Sequence, residues 1–240
     1  MTVKNFYNKD GGRLYVLHFP GTGMEFEDTR HIIADTLLLK FSLSEDIEII
    51  SVMDKPCWNH SILRKQCENN NVEILNPAID EKNWNNTKKI GYILEALQQT
   101  KKQLCLILDG RDVQICADLG DEFIGKFKSF DRPIVYNGTP CAYPHVAIES
   151  IQEVLSVKGR QKYLNAGVCI GERNALYKFY TKAAEINRQN PDNRSEQMII
   201  RLARKKYPEY ATHDAGNDIF RIVHAYDTKV NECHDGYVLI

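Results

Sequence analysis

The feature that most constrains the fold of this chain is the alternation of apolar strands with amphipathic helices. The clearest example is NTKKIGYILEALQQTKK (86–102), which places Ile90, Ile93 and Leu97 on one helical face and leads directly into the apolar run LCLILD. A run that is apolar at nearly every position is typical of a strand buried in a parallel sheet. The alternation therefore predicts an α/β fold with a mainly parallel central sheet and helices on both faces.

Other segments fit the same alternation. Predicted strands are RLYVLHF (13–19), IEIISVM (47–53), VEIL (72–75), PIVYNG (133–138), YLNAGVCIGE (163–172) and short strands within EYATHD and DIFRIVHAYD. Predicted helices are DTRHIIADTLLLKFSLS (28–44), CWNHSILRKQCENN (57–70), DEFIGKFKSF (121–130), ALYKFYTKAAEINRQ (175–189) and SEQMIIRLARKKY (195–207), with ESIQEVLSVKG (149–159) a helix or a loop. No linker or repeat interrupts them, so we expect one domain over 1–240, with a donor-nucleotide half of about 1–115 and an acceptor-side half of about 116–240.

Composition excludes some classes of function. Lys and Arg total 31 against 32 for Asp and Glu, so no strong net charge favours binding to nucleic acid. The N-terminus lacks the apolar stretch of a secretory signal, and no run is long enough for a transmembrane segment, which favours a cytoplasmic location. Seven cysteines without CxxC spacing are expected to be reduced.

The segment LCLILDGRDV contains the strongest candidate for a metal site. Asp109 ends the most apolar strand, Gly110 lets the backbone turn, and Asp112 follows, so two carboxylates can converge at the edge where α/β sheets bind ligands. Oxygen ligands of this kind suit Mn²⁺ or Mg²⁺ beside phosphate groups. Two other interpretations stay open: a solvated turn in which Asp112 caps the segment that follows, and an aspartyl phosphatase, whose second aspartate would stand where this chain has Arg111.

From about residue 83 to 220 the chain resembles a known family. The ordered pieces TKKIGYILEAL, LILDGRDV, IVYNGTPCAYP, YLNAGVCIGE, SEQ at a helix start and HDAGNDIF are similar to the glycosyltransferase domain of procollagen lysyl hydroxylases and related collagen-type sugar transferases. The resemblance implies a GT-A-like nucleotide-sugar transferase fold, a UDP-sugar donor with Mn²⁺, and retention of anomeric configuration.

The resemblance also implies roles for individual residues. Asp109 and Asp112 match the family's metal-binding Asp-x-x-Asp, and Lys89 matches a lysine that would face the donor's phosphates or sugar. A solvated position for Lys89 is the alternative. Asn165, Ala166 and Gly167 match an Asn-Ser-Gly segment against which the donor sugar packs, with Ala166 lacking the serine hydroxyl. Gly110 is expected at the donor as well.

Glu196 and Gln197 fall where the family has Asp-Asp-Gln, and Ser195 replaces the first aspartate. Glu196 is the candidate for the catalytic carboxylate near the anomeric carbon, with Gln197 beside it. A purely structural role for Glu196, in favour of the helix dipole, is the alternative. Asn137 and Gly138 stand in place of an Ala-Glu pair of the family, so acceptor contacts do not carry over.

The family completes its metal site with a histidine from a His-Gly-Asn-Gly segment, which does not occur before the sequence ends at GYVLI. Three explanations stay open: a truncated chain, replacement by His224 or His234, or completion of the shell by water and donor phosphates. Of the two histidines we prefer His234, which precedes Asp235 and Gly236.

In this fold the N-terminal strand normally contacts uracil and ribose. The segment LHFPGTG would then present His18, Phe19, Pro20 and Gly21 to the nucleotide, although a plain turn is an equally good interpretation.

The resulting hypothesis is a metal-dependent glycosyltransferase that moves glucose or galactose from a UDP-sugar to a hydroxyl of a carbohydrate, lipid-linked or protein acceptor. The alternatives are a degenerate nucleotide-sugar-binding module, to which Ala166 and Ser195 point, and the aspartyl phosphatase.

Overall fold

A computed structural model describes residues 5–7, 11–20, 37–144, 158–159, 161–193, 195–223, 230–233 and 236–239. Its strands are β1 (Asn5–Tyr7), β2 (Val16–His18), β3 (Ile47–Ile50), β4 (Leu104–Leu108), β5 (Val113–Ile115), β6 (Ile134–Thr139), β7 (Tyr163–Glu172), β8 (Ala211–Asp214), β9 (Phe220–Ile222), β10 (Val230–Cys233) and β11 (Gly236–Leu239). Its helices are α1 (Lys55–His60), α2 (Ile62–Asn69), α3 (Lys88–Gln99), α4 (Asp121–Lys128), α5 (Arg173–Gln189) and α6 (Glu196–Lys206). Within this part of the chain, no helix combines the length and apolarity needed to cross a bilayer.

The central sheet has five strands in the order β3-β4-β7-β6-β8. β3 lies parallel to β4 and β6 lies parallel to β8, whereas β7 runs antiparallel to both of its neighbours. The prediction of a mainly parallel sheet is therefore wrong, because the sheet is mixed. β4 and β7 are buried along nearly their whole length, and burial on both faces makes a strand apolar whichever way its neighbour runs.

Both faces of the central sheet are covered, and helices lie on each. On one face α3, α5 and α6 pack through side chains such as Ile93, Phe179 and Ile199. On the other face α2 and α4 pack through Leu63 and Phe123, together with a second sheet of order β5-β2-β9. The prediction of an α/β fold with helices on both faces is confirmed.

The second sheet brings the N-terminal part of the chain to the end of β4. β2 pairs antiparallel with β5 and parallel with β9, and His18 at the end of β2 lies opposite Val113, the first residue of β5. His18 is thereby placed beside the turn that joins β4 to β5. A third sheet of order β1-β11-β10 pairs the first and last described strands.

The predicted helix over 57–70 is divided in two. Ser61 has an extended backbone (φ −64°, ψ 124°), ends α1, and caps α2 by accepting a hydrogen bond from Arg64 N at 3.0 Å. A serine that caps the following helix favours this break, because its side chain replaces an intrahelical partner. α1 itself begins earlier than predicted, at Lys55, behind the cap Asp54.

Most other predicted elements are confirmed with small shifts. The strand over 163–172 has the predicted bounds, and α3 is shorter than 86–102 because Thr100 is extended (φ −74°, ψ 147°). VEIL contributes only an isolated bridge between Leu75 and Ile50. Most of the predicted segments over 28–44 and 149–159 lie outside the described residues.

Candidate active site at the edge of the central sheet

The turn between β4 and β5 carries Asp109 and Asp112 and is anchored on several sides. Asp109 N donates to Gly167 O on β7 at 2.7 Å, and Phe19 N donates to Asp112 O at 2.8 Å. Gly110 O accepts a hydrogen bond from the Ser61 hydroxyl. Because neighbouring elements hold this backbone, the two carboxylates have a defined position at the carboxyl end of β4.

His18 completes a cluster with the two aspartates. Its Nε2 lies 3.6 Å from Asp112 Oδ1 and 3.9 Å from Asp109 Oδ2, and one ligand atom from each of the three residues lies within 4.8 Å of the others. Ligands about 2.1 Å from an octahedral ion are separated by about 3.0 Å when adjacent and about 4.2 Å when opposite. The two distances from His18 fall within that range, so the residues can converge on a divalent cation after small movements of their side chains.

The charges around His18 also favour a cation. Burial opposes the charged imidazole, but the negative charges of Asp112 and Asp109 outweigh it, so the pKa of His18 is raised above its ordinary value. The field that attracts a proton to this position attracts a metal ion in the same way. The structure places His18 against the carboxylates, and its contact with the nucleotide stays a prediction.

Lys89, on the first turn of α3, is buried and points into the site. Its Nζ forms an ion pair with Asp109 Oδ1 and lies 3.2 Å from Glu196 Oε2. These two carboxylates outweigh the cost of burial and raise the pKa of Lys89, so it is cationic. Its neighbour Lys88 instead pairs with Glu81 at 3.0 Å. A solvated position for Lys89 is therefore wrong.

Glu196, at the first position of α6, is buried against Lys89. Burial raises the pKa of Glu196, Lys89 opposes that rise and Asp109 adds to it, and the result is a pKa of about 7. Its Oε1 is buried and lacks a hydrogen-bond partner among the described residues. The preceding Ser195 caps α6 by accepting from Met198 N at 3.3 Å. One carboxylate of the pair expected from the resemblance is thus present, in contact with the lysine.

A three-residue bulge in β7 lies at the centre of the site. The pairing with β6 passes from Cys169 opposite Tyr136 directly to Asn165 opposite Asn137, so residues 166–168 have no partner on β6. Gly167 N bonds instead to Asn165 Oδ1 at 2.9 Å. A Cβ at Gly167 would lie 2.3 Å from His18 Cε1 and 2.7 Å from Asp109 Oδ2. Only glycine leaves the carboxylate and imidazole in place.

Gln197 links the bulge to the loop after β6. Its Oε1 accepts from Ala166 N at 3.2 Å, and its Nε2 donates to Tyr143 O. Arg201, one turn further along α6, donates to Pro144 O at 2.7 Å. Because both ends of the Gln197 carboxamide bond within the protein, its geometry fits a positioning role better than the catalytic role suggested by sequence.

Of the residues predicted to contact the nucleotide, His18 lies beside the aspartates. The others are placed as follows. The Phe19 side chain packs in an apolar cluster with Leu14 and Val223 and has no exposed surface, and the contact of Phe19 with the nucleotide stays a prediction. The Cα of Gly110 faces the Met53 side chain, which a Cβ would overlap. Pro20 is the last described residue before a gap, and Gly21 lies outside the described residues.

The histidine predicted to complete the metal shell also lies outside the described residues. His234 and its alternative His224 are not among the described residues. Sequence reasoning missed His18 as a partner of the aspartates. The available signal was its position at the end of an apolar strand, but nothing local pairs that strand with the residues after Asp112.

An α/β fold that gathers two aspartates, a histidine, a lysine and a glutamate at the ligand-binding edge of its sheet is typical of an enzyme domain. Within that class, the chain belongs to the family of PLOD glycosyltransferase domains, whose family model (GT_PLOD, "PLOD GT domain") matches residues 80–227. The resemblance to the glycosyltransferase domain of lysyl hydroxylases is confirmed. No curated protein matches the chain at a significant level. His18 precedes the matched region, whereas Lys89, Asp109 and Glu196 lie within it.

Proposed function

We propose that this glycosyltransferase is metal-dependent and transfers a hexose, glucose or galactose, from a UDP-sugar to an acceptor hydroxyl with retention of configuration. The observation that carries the proposal is the contact chain from His18 and Asp112 through Asp109 and Lys89 to Glu196. It joins a candidate cation site to a buried carboxylate within one edge of the sheet. UDP as the nucleotide, hexose as the sugar and retention rest on the family resemblance.

The residues suited to hold Mn²⁺ or Mg²⁺ are His18, Asp109 and Asp112. Such an ion, when bound, neutralises the charge that builds on a departing diphosphate. His234, outside the described residues, stays a prediction as a further ligand.

Lys89 supplies a second positive charge at the same edge. Its Nζ already lies between Asp109 and Glu196, and burial restricts its movement. A lysine held in this way can bind a phosphate oxygen with little loss of side-chain entropy. We assign it to orienting the diphosphate of the donor.

Glu196 is suited to act near the anomeric carbon. Burial raises the pKa of Glu196 while Lys89 opposes that rise, and Oε1 has no partner within the described residues. A carboxylate in a buried setting stabilises a nearby oxocarbenium-like centre more strongly than one in water. Gln197 holds the neighbouring segment of β7 in position, through Ala166 N.

The direct test compares Asp109→Ala and Asp112→Ala with the wild-type protein in Mn²⁺-dependent release of UDP from UDP-glucose and UDP-galactose. Asp131→Ala is the matched control, because the Asp131 side chain is exposed and forms an ion pair with the adjacent Arg132. We expect both site variants to lose nearly all turnover and the control to retain it. Equal turnover in all four proteins would exclude a role for the two aspartates.

A non-catalytic nucleotide-sugar-binding module is the second candidate. It is favoured by Ser195, which serves as a helix cap where the related family has an aspartate, and by Ala166, which lacks a hydroxyl. Calorimetry separates the two candidates: UDP binding in the presence of Mn²⁺ without any consumption of UDP-sugar would favour the binding module. Family membership gives no support to the phosphatase.

A further inference from the structure

Asn137, on β6, has a side chain that the fold itself does not use. The residue is completely buried, and neither its amide oxygen nor its amide nitrogen has a hydrogen-bond partner among the described residues. Buried amides in folded proteins are nearly always bonded, because an unpaired one costs free energy. Asn70 shows the usual situation, since its amide accepts from Phe41 N and donates to Leu39 O and Gln66 O.

The position of Asn137 relates it to the candidate active site. It is paired in register with Asn165 on β7, directly at the end of the bulge formed by residues 166–168. Tyr136 and Leu164 belong to the core on the side of α3, α5 and α6. Because side chains alternate along a strand, Asn137 and Asn165 face the opposite side, where β2 brings His18.

Two acceptor groups beside Asn137 are already committed to other partners. Asn165 Oδ1 accepts a hydrogen bond from Gly167 N. Asp214 lies beside Asn137 on β8. Its carboxylate accepts hydrogen bonds from the backbone N–H groups of residues 218, 219 and 220, at 2.8 Å each. The amide of Asn137 therefore points to a partner from outside the protein. An amide offers two donors and an acceptor, which match the hydroxyl groups of a sugar ring.

We infer that Asn137 hydrogen-bonds the donor sugar and helps to determine which hexose is accepted. This inference rests on the proposed function, because it takes the sugar to lie at the bulge beside Gly167 and Asp109.

The experiment uses the whole chain and the variants Asn137→Leu and Asn137→Ala, with Asn70→Leu as the matched control. Dissociation constants for UDP, UDP-glucose and UDP-galactose are measured by calorimetry with Mn²⁺ and no acceptor, and Tm is measured without ligand. The ratio of the UDP-hexose Kd to the UDP Kd measures the contribution of the sugar to binding. Asn137 is proposed to contact only the sugar, so its loss should change this ratio.

In Asn137→Leu the ratio of the UDP-hexose Kd to the UDP Kd should rise about ten-fold for at least one hexose, as expected for loss of a hydrogen bond to the ligand. The same variant should have a Tm higher by about 2–5 °C, because an unpaired amide is replaced by an apolar group of similar size. Asn137→Ala should raise the Kd ratio in the same way. Asn70→Leu should lower Tm and leave the Kd ratio unchanged.

An unchanged Kd ratio in both Asn137 variants would overturn the inference, whatever happens to Tm, and would leave the proposed function intact. A lower Tm together with an unchanged ratio would identify the amide as a structural group. If the wild-type protein binds neither UDP nor either UDP-hexose in the presence of Mn²⁺, the proposed function fails and this inference fails with it.

Discussion

Gly167→Ala tests whether the bulge of β7 reserves space for the candidate metal site. An added Cβ would lie 2.3 Å from His18 Cε1, 2.8 Å from His18 Nε2 and 2.7 Å from Asp109 Oδ2. Ordinary van der Waals contact begins at 3.4 Å, so the imidazole must retreat by about 1 Å and the carboxylate by about 0.7 Å. The backbone of Gly167 does not occupy the left-handed region, so the effect is steric and not conformational.

The expected magnitude follows from that displacement. Disturbing the orientation of metal ligands typically weakens metal binding 10–100-fold, which corresponds to about 1.4–2.7 kcal/mol. His18 is buried and cannot move freely, so overpacking should also lower the free energy of unfolding by about 1–3 kcal/mol. Both losses have the same origin and should occur in one variant.

Electron paramagnetic resonance of free Mn²⁺ measures the metal affinity, and urea denaturation measures stability. Gly125→Ala is the matched control, because a Cβ at that position in α4 meets nothing within 4 Å. The control should keep the wild-type Mn²⁺ affinity and gain about 1 kcal/mol of stability from better helix propensity. Wild-type Mn²⁺ affinity in Gly167→Ala would refute the argument that His18 and Asp109 form the site.

Replacing His18 by alanine is expected to weaken Mn²⁺ binding about ten-fold or more, whereas His60→Ala, at an exposed position on α1, should leave the same resonance titration unchanged. Lys89→Met should lower the free energy of unfolding by about 3–5 kcal/mol, because it leaves Glu196 and Asp109 without their buried cation. Urea denaturation measures this loss. The control Lys88→Met, at a partly exposed lysine, should show a much smaller loss. Burial, with a smaller effect of Arg204, lowers the pKa of His213 to about 4. Between pH 6.5 and 4 the folded protein therefore binds fewer protons than the unfolded chain, so its stability falls as the pH falls. From pH 7 to pH 5 the wild-type protein should lose about 2 kcal/mol more than His213→Gln, and parallel losses would contradict the assignment.

Much of the site could be predicted from short segments. Asp109 and Asp112 follow one apolar strand within four residues, so local geometry alone brings their carboxylates near each other. Lys89 and Glu196 were found through their positions at the first turns of α3 and α6, which matched the family pattern. In each case the relevant signal lies within one or two turns of the residue.

Other features depend on contacts between distant segments. His18 joins the aspartates only because β2 pairs antiparallel with β5. The direction of β7 was missed because an apolar strand buried on both faces has the same composition in a parallel or an antiparallel pair. Gln197 was placed near the site from sequence, but its bonds to Ala166 and Tyr143 depend on where α6 packs.

The sequence by itself determined the α/β class, the helices on both faces and the pair of aspartates, because periodicity and strand ends are local properties of the chain. Tertiary structure alone decided the mixed sheet, the approach of His18 and the unpaired amide of Asn137 beside the bulge. Those three features arise from how strands far apart in sequence pair with one another, and strand composition does not encode the partner or its direction.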